Sequence, residues 1–460
     1  MDPPQRSCIV NAKRALEALN FFVADVQAGI GPFLGVFLQA RGWGADQIGT
    51  VMTIGGIAGM LATSPAGALV DATRHKRSLV VIAGVMTVLA SGLLWMSHGY
   101  WMVAASQVAT AITGAAIGPA LAGITLGMVR QQGFDRQFGR NQVANHGGNV
   151  VAAALSGWLG WHYGFGAVFA LSALFGVLSI VAVCLIPGDA IDHEIARGAS
   201  AGADADADVG AGAGATSGAK SDTKPDTKPA AKPAAKPRKS AAAEAPPGGL
   251  RVLLQSRPLL LLAAALGLFH LGNAAMLPLY GLAIVAAHQG EPSAFTAETI
   301  VIAQLVMVAA AMLANRLIRW RGYWWVILVT FLALPTRGLI AASVIHAWGV
   351  WPVQALDGIG AGLQSVAVPA LVVRLLGGTG RVNVGQGVVM TVQGVGAALS
   401  PALGGILAHR FGYPAAFIAL GAVSTGSLVL WLCFGASLRH ACAAGSSATR
   451  DAVEAAPSVS

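Results

Sequence analysis

Charged residues and cysteines are scarce in this sequence. Only 11% of its 460 residues are charged, whereas a typical soluble domain carries about 25%. An ordinary soluble domain is therefore excluded, because it would need a charged surface. The cysteines are scattered, with no metal-binding or redox spacing, which predicts free thiols: Cys8, Cys184, Cys433 and Cys442.

Several motifs of enzyme chemistry are also absent. There is no Gly-x-x-x-x-Gly-Lys-Ser/Thr phosphate loop, which argues against an ATP-driven mechanism. There is no His-Glu-x-x-His zinc motif and no Gly-x-Ser-x-Gly nucleophile motif. The sequence therefore predicts a protein that is not an enzyme, with no catalytic residues, no cofactor and no metal site.

Apolar residues are abundant instead. They make up 55% of the chain, and its mean hydropathy is +0.65. A run of about 20 apolar residues can cross a bilayer as a helix. Six such runs precede a polar break and six follow it: 16–40, 47–70, 78–97, 101–129, 142–161 and 166–187, then 258–286, 298–318, 323–345, 348–374, 384–408 and 413–436. The pattern predicts an all-α polytopic membrane protein.

The net charge of +9 does not indicate nucleic acid binding, because the basic residues lie in short loops and in a Lys-Pro segment. Short basic loops stay on the cytoplasmic side of a membrane. The even-numbered loops are basic: Arg74, Lys76, Arg77, Arg130, Arg136, Arg140, Arg316, Arg319, Arg321, Arg374 and Arg381. The other loops hold fewer cations and several acids: Arg41, Arg410, Asp46, Glu291 and Glu298. This bias predicts a multi-pass protein of the inner or plasma membrane with both termini in the cytoplasm.

Residues 188–250 differ in kind from the rest of the chain. They consist of Ala-Gly-Asp and Lys-Pro repeats, with almost nothing apolar beyond alanine. Such a composition favours disorder. We therefore predict an N-terminal bundle at 1–187, a disordered cytoplasmic linker at 188–250, a C-terminal bundle at 251–437 and a disordered tail at 438–460. The lysines of the linker leave two roles open, a plain tether and contact with anionic lipid.

The two halves of the chain are related. Residues 163–169 follow span five as Tyr-Gly-Phe-Gly-Ala-Val-Phe, and residues 411–417 follow span eleven as Phe-Gly-Tyr-Pro-Ala-Ala-Phe. Gly114 in span four likewise corresponds to Gly360 in span ten, and the offset stays at 246 to 248 residues. A six-helix unit used twice is typical of transporters with parallel halves.

The turn between spans two and three carries a spaced motif formed by Gly67, Leu69, Asp71, Lys76 and Leu79. It resembles the Gly-x-Leu-x-Asp-x-x-Gly-x-Lys-x-x-Leu signature of the major facilitator superfamily. The resemblance implies twelve helices in two six-helix bundles, and a monomer in the lipid bilayer that moves a small molecule by alternating access.

The resemblance also implies a cytoplasmic gate motif of Gly67, Leu69, Asp71, Lys76 and Arg77. In it, Asp71 contacts helix ends and basic residues in one access state. The physical basis of such a contact is the attraction between a charged side chain and the opposite partial charge at a helix end.

Other positions refine the resemblance. The second glycine of the signature is replaced by Arg74 in this sequence. In span eleven, residues 394–405 are similar to the glycine-proline pattern of exporters in the superfamily. Drug-proton antiporters of the family carry an arginine in span four, four residues before a glycine. This sequence has Thr110 before Gly114, so the proton relay of those antiporters does not carry over.

Asp25 lies near the middle of span one, beside Gln27 and before Gly29, Gly31 and Pro32, which loosen a helix. An ionisable side chain at this depth costs roughly 2.5–3.5 kcal/mol. Span one lines the central cavity in the superfamily. Two interpretations stay open: a substrate or proton site, and a structural acid bonded to a neighbouring helix.

Arg337 in span nine and Asp357 in span ten lie at matched depth, about 12–14 Å below the short turn that joins the two spans. A buried pair offsets the desolvation of both charges. The positions predict a salt bridge, which is either structural or part of gating and coupling.

Two polar groups in other spans are further candidates. His270 and Asn273 lie in span seven, where a histidine relays protons near neutral pH or packs as a hydrogen-bonding residue. Asn145, His146 and Asn149 lie in the inner half of span five. They either line the inner mouth of a cavity or tie helices together.

The sequence as a whole predicts a secondary transporter, a proton-coupled exporter of an apolar drug-like compound or metabolite. The proton gradient would act through Asp25, with help from His270 or Asp357. A proton-coupled uptake symporter is the alternative. An alternative from another class is a non-transporting membrane sensor or scaffold. Such a protein would have no need of Asp25 and His270 facing a cavity.

Overall fold

The computed structural model describes residues 3–28, 30–197, 256–376 and 382–434, together with Arg439. In this part of the chain every regular element is a helix. The α-helices are α1 (Pro3–Ala28), α2 (Gly31–Ala40), α3 (Ala45–Ala72), α4 (Lys76–Met96), α5 (Tyr100–Tyr163), α6 (Phe165–Cys184), α7 (Arg257–Asn273), α8 (Met276–Ala286), α9 (Pro292–Arg321), α10 (Tyr323–Ser343), α11 (Val350–Leu376), α12 (Val382–Phe411) and α13 (Tyr413–Cys433).

The helices confirm the predicted fold of twelve spans in two bundles. Within the described ranges, eleven segments are long and apolar enough to cross a membrane. The second limb of α5 completes the set, because α5 turns at Arg130, where φ is 57° and ψ is 179°. The N-terminal bundle contains α1–α6 and the C-terminal bundle α7–α13. We call the side with the 73–75 turn the basic face and the side with the 41–44 loop the opposite face.

The first and seventh spans are each broken into two helices. The first breaks between Ala28 and Gly31, where glycine and Pro32 weaken the backbone ladder. The seventh breaks between Asn273 and Met276. From Ala28 to Asn273 the offset is 245 residues, which agrees with the internal repeat. The two bundles therefore break the same span at the same place.

The start of the linker is ordered, which corrects the prediction of disorder from residue 188. Two 3₁₀ turns, Gly188–Ala190 and Ile195–Arg197, pack on α5. The Asp192 N–H donates to the Gly127 carbonyl at 3.1 Å, and Ile191 is buried. The composition of this segment did not indicate order, because the contact with α5 involves only a few residues, such as Ile191 in the segment and Gly127 on α5. Residues 198–255 and, apart from Arg439, the tail 438–460 lie outside the described part.

Candidate functional site

The two bundles meet on the opposite face along α3 and α12. Gly49 lies so close to Pro401 that a Cβ atom added to it would overlap the proline carbonyl oxygen. Gly405 approaches the carbonyl of Ala45 in the same way. Small residues let helices approach closely in a membrane, and at this seam the backbones are in direct contact.

A hydrogen bond crosses the same seam. Pro401 lies inside α12 and has no N–H to donate. The next residue, Ala402, donates its backbone N–H to Oγ1 of Thr53 at 2.9 Å. Thr53 is buried, so this bond joins the bundles away from water.

A second seam joins α5 and α9. A Cβ atom at Gly157 would overlap the Ala297 side chain. Closer to the middle of the protein, the Nδ1 atom of His146 lies 3.0 Å from Oε1 of Gln304. Since amide oxygens accept hydrogen bonds, the Nδ1 atom is the donor.

Between these seams the short helices α2 and α8 close the opposite face. The Nε2 group of Gln39 donates to the Leu282 carbonyl at 3.1 Å. A Cβ atom at Gly35 would lie 3.5 Å from Leu282, and one at Gly281 would lie 3.7 Å from Val36. The outer halves of both broken spans therefore contact each other across the bundle boundary.

Towards the basic face the contact between α3 and α12 passes from backbone atoms to side chains. Near the seam, a Cβ at Gly56 would lie 3.1 Å from Ala398, whereas a Cβ at Gly394 would lie 3.7 Å from Met60. A cavity of about 870 Å³ opens here between α3, α5 and α12. Its fifteen lining residues are glycine, alanine, methionine, leucine, serine and threonine, so none carries a charge. We call this cavity the uncharged cleft.

Asp25 lies inside the N-terminal bundle. Its carboxylate accepts a hydrogen bond from Ser172 of α6, and its Oδ2 atom has no partner among the described residues. Val26 and Ser172 line a cavity of about 430 Å³ whose walls all belong to the N-terminal bundle. Asp25 is thus bonded to α6 and not to the other bundle. The side chain of Gln27 lies outside the described part.

Arg337 and Asp357 form the salt bridge that their depths predict. The Nη1 atom of Arg337 donates to Oδ1 of Asp357 at 2.8 Å and to Oδ1 of Asn273 at 2.7 Å. Arg337 is 1% exposed and Asp357 16% exposed. Because α7 ends at Asn273, the cation also lies at the negative end of a helix dipole. Asn273, which the sequence grouped with His270, therefore belongs to this ion pair.

Unpaired polar atoms surround this ion pair. The Nε and Nη2 atoms of Arg337 and both amide atoms of Gln354 have no partner in the described ranges. Gln354 is fully buried and lies one turn before Asp357 on α11. Each such group destabilises a fold by about 1–3 kcal/mol when it stays unpaired. The cluster therefore has free capacity to bind water or a polar ligand.

His270 lies beside the cluster without bonding to it. Its Nδ1 atom is 2.9 Å from the Leu266 carbonyl. Since a carbonyl only accepts, the proton is assigned to Nδ1, which leaves Nε2 as the acceptor. The functional roles of His270, Asn273 and Asp357 stay predictions.

The polar patch of span five forms hydrogen bonds within α5 and to two other helices. The Asn145 side chain donates to the Asn20 carbonyl of α1 at 3.3 Å, and the Asn149 side chain donates to the Asn145 carbonyl at 3.2 Å. His146 reaches Gln304 of the other bundle. Of the two predicted roles, these contacts favour the one in which the patch holds helices together over the one in which it lines the inner mouth of a cavity.

The cations of the gate motif hold helix ends. Lys76 is buried, and its Nζ atom donates to the Val70 carbonyl at 2.7 Å and the Thr73 carbonyl at 3.2 Å. The Nη2 atom of Arg77 donates to the Cys184 carbonyl at 3.1 Å. Cations stabilise the carboxyl ends of helices, so these two residues fix α3 and α6 within one bundle.

The other motif residues are exposed or have open space around them. Leu69 is 54% exposed, Asp71 is exposed, and nothing lies within 4 Å of a Cβ added to Gly67. In the described part of the chain Asp71 forms no ion pair. The contact that the resemblance implies for Asp71 in the other access state stays a prediction.

We expect Asp71→Asn to increase the population with an open basic face. A charge–dipole contact contributes up to about 2 kcal/mol, so its loss shifts the equilibrium by about 5- to 30-fold. Distances between spin labels at the basic-face ends of α3 and α12 measure this shift. The control is Asp189→Asn, an exposed acid outside the motif on the same face. Identical distance distributions for both variants would contradict the role of Asp71.

Comparison with known proteins agrees with this architecture. The model of the Major Facilitator Superfamily matches residues 17–384. The chain belongs to the major facilitator superfamily. It is 37% identical over 421 residues, 91% of this chain and 92% of the relative, to the "Uncharacterized MFS-type transporter MT2531" of Mycobacterium tuberculosis (strain CDC 1551 / Oshkosh). The same identity and coverage relate it to Rv2456c of strain H37Rv.

Solved structures share the fold of this superfamily member. The nucleoside transporter NupG covers 92% of this chain and 98% of its own, with a TM-score of 0.69 and 11% identity. A bacterial homolog of the human lysosomal transporter Spinster covers 96% of this chain and 99% of its own, with a TM-score of 0.64 and 11% identity. The family model and the 37% identical relatives, together with the spans, identify this superfamily protein as a multi-pass membrane transporter.

Sequence reasoning missed three residues of the site. Gln304 bridges the bundles, Thr53 accepts the bond from α12, and Gln354 lies unpaired beside the ion pair. Each is a polar residue within an apolar run. That signal is present in the sequence for all three.

Proposed function

We propose that the basic face is cytoplasmic, so that this conformation is open to the cytoplasm. The support is the concentration of cations on that face, which follows the positive-inside rule. Both termini would then be cytoplasmic, in an inner or plasma membrane. In the alternate state the seams between α3 and α12 and between α5 and α9 would separate. Asp71 would then contact helix ends and basic residues on the closed basic face.

We infer that the transporter exports an apolar or weakly polar small molecule. The uncharged cleft of about 870 Å³ carries this inference. A charged substrate needs compensating charges in its site, and this cleft offers methionines and small residues. Methionine side chains adapt to substrates of varied shape. The glycines and Pro401 of α12 support the export direction by their similarity to exporter patterns.

The energy source in this proposal is the proton gradient, acting at Asp25. Its Oδ2 atom is buried and unpaired among the described residues, next to the 430 Å³ cavity of its own bundle. An intramembrane acid with these properties is a natural proton site. Since Asp25 bonds to α6, the coupling would pass through the packing of the N-terminal bundle and not through direct contact with the substrate.

Growth inhibition tests both parts of the proposal. In a host without its main exporters, we expect wild type to give resistance to at least one apolar compound and Asp25→Asn to abolish it at matched membrane expression. Ser172→Ala, which keeps the acid and removes its hydrogen bond, should retain resistance. Resistance that survives Asp25→Asn would contradict the proton site, and no resistance to any compound would contradict export.

Proton-coupled uptake is the second candidate, and the C-terminal bundle favours it. Arg337, Asp357 and Asn273 form a charged cluster with unpaired donors, which suits a polar substrate better than an apolar one. Increased sensitivity of the expressing host to one compound would point to this function. Uptake of that compound in radiolabelled form would then measure it.

A further inference from the structure

A pocket of about 440 Å³ lies on the basic face of the N-terminal bundle. The residues that line it include Arg74 and His75 of the turn between α3 and α4, Cys184 at the end of α6, and Gly188 and His193 of the linker start. Its volume lies within the range of small-molecule sites. It shares no lining residue with the uncharged cleft.

Two guanidinium groups give this pocket positive charge. Arg74 is exposed and forms no ion pair among the described residues. Arg77 donates its Nε and Nη2 groups to the carbonyls of residues 183 and 184. Its Nη1 atom would lie 3.3 Å from a Cβ atom added to Gly188. Because residue 188 is a glycine, it has no side chain that covers this Nη1 group.

Acids lie nearby in the chain, but none of the described residues that line the pocket is acidic. Asp71 and Asp189 are exposed outside it. The Oδ1 atom of Asp192 accepts two backbone N–H groups of its own turn, at 3.1 and 3.2 Å. The first turn of α4, beside the pocket, adds partial positive charge, because its N–H groups have no partner within the helix. The pocket is therefore suited to an anion.

The membrane side of the pocket is apolar. Val81 and Ile82 of α4 line it, and Ile82 is 56% exposed. On α6, Val181 is 48% exposed, and Leu185 just beyond the helix is 66% exposed. Exposed apolar patches of this kind mark contact with a membrane. The pocket thus places positive charge at the helix ends next to an apolar surface that faces lipid chains.

We propose that this pocket binds the head group of an anionic phospholipid, with the phosphodiester at Arg74 and Arg77 and the acyl chains against α4 and α6. Charge selects the class of lipid, since a zwitterionic head group carries a cation that no acid among the described lining residues could receive. Anionic lipids attract basic segments next to a membrane. A soluble anion would leave the apolar side of the pocket uncovered.

Arg74 makes this site a property of the chain and not of the family signature. It stands where the signature has its second glycine, so the signature itself does not supply this cation. The inference does not rest on the direction, the substrate or the coupling of transport.

The test measures how fast N-ethylmaleimide reacts with Cys184, an exposed thiol in the wall of the pocket. The full-length protein carries Cys8→Ser and Cys442→Ser and is placed in phosphatidylcholine nanodiscs with increasing fractions of phosphatidylglycerol. We expect phosphatidylglycerol to slow the reaction of Cys184 saturably. Cys433, an exposed thiol at the end of α13, reports the general effect of surface charge on the same face.

Substitutions of Arg74 identify the site. Arg74→Gln should raise the phosphatidylglycerol fraction that gives half-maximal protection of Cys184 by about fivefold, because one cation near anionic lipid contributes about that factor. Arg74→Lys, which keeps the charge, should stay close to wild type. The matched control, Arg321→Gln, removes an exposed cation from the same face of the other bundle and should protect Cys184 as wild type does.

Three results would overturn the proposal. The first is equal protection of Cys184 in wild type and Arg74→Gln. The second is a protection curve of Cys433 that matches that of Cys184, because the effect would then be one of surface charge alone. The third is equal protection by inorganic phosphate in pure phosphatidylcholine nanodiscs, which would assign the pocket to a soluble anion.

Discussion

Asp357→Asn is expected to destabilise the protein by about 3–5 kcal/mol. The substitution leaves the guanidinium of Arg337, 1% exposed, without its counter-charge, and breaking a buried pair from one side has this magnitude. Asn273 still accepts from Nη1, but one neutral acceptor does not offset a buried cation. The free energy of unfolding in mixed micelles measures the loss.

The control for this prediction removes both charges. The double variant Arg337→Met with Asp357→Leu should recover most of the lost stability, because replacing a buried pair by apolar residues is often neutral or stabilising. Transport by the double variant then separates the two predicted roles. Recovered transport assigns the pair to structure, and a stable but inactive protein assigns it to gating or coupling. A double variant as unstable as Asp357→Asn would contradict the account.

Gly49→Ala is expected to reduce transport at least tenfold without unfolding either bundle. The new methyl group would overlap the Pro401 carbonyl oxygen, so α3 and α12 must move apart until ordinary contact is restored. The backbone of Pro401 cannot rotate away as a side chain would. The opposite face then fails to close, and the cycle loses one of its two states. Transport rate and the distance between spin labels across the seam are the measurements.

The matched control is Gly118→Ala, because a Cβ atom at Gly118 has nothing within 4 Å. Elsewhere in a helix this substitution stabilises by about 0.5–1 kcal/mol, so the control should fold and transport normally. Equal transport by both variants would show that the seam tolerates separation.

The fold was predictable to a large extent. Hydrophobic runs and basic loops gave twelve spans, and equal depth below one turn was enough to pair Arg337 with Asp357, since helix rise is constant. The break in span one was signalled by glycine and proline around residues 29–32. The break in span seven has a weaker signal, because Gly272 and Pro278 flank it but Ala274 and Ala275 lie at the break itself.

Side-chain direction was the part that sequence left undetermined. Asp25 lies in span one, as the sequence indicates, but a single residue in a helix without a polar stripe does not reveal which neighbour it faces. The bond to Ser172 depends on how α6 packs. The loop position predicted for Glu298 was wrong, because α9 begins at Pro292. Span boundaries judged from hydropathy ignore the capping by Glu291, which accepts the Ala294 N–H at 2.7 Å.

The short helices α2 and α8 have an electrical consequence. They contain 10 and 11 residues, so the closed layer that they form is about 15 Å thick, roughly half of the hydrocarbon core. A water-filled cleft supports little voltage, so the membrane potential falls mainly across this thin layer. Moving one elementary charge through the layer therefore changes the free energy by nearly the full value of about 2.3 kcal/mol per 100 mV. A step that carries a charge across this layer is therefore the step on which the membrane potential acts.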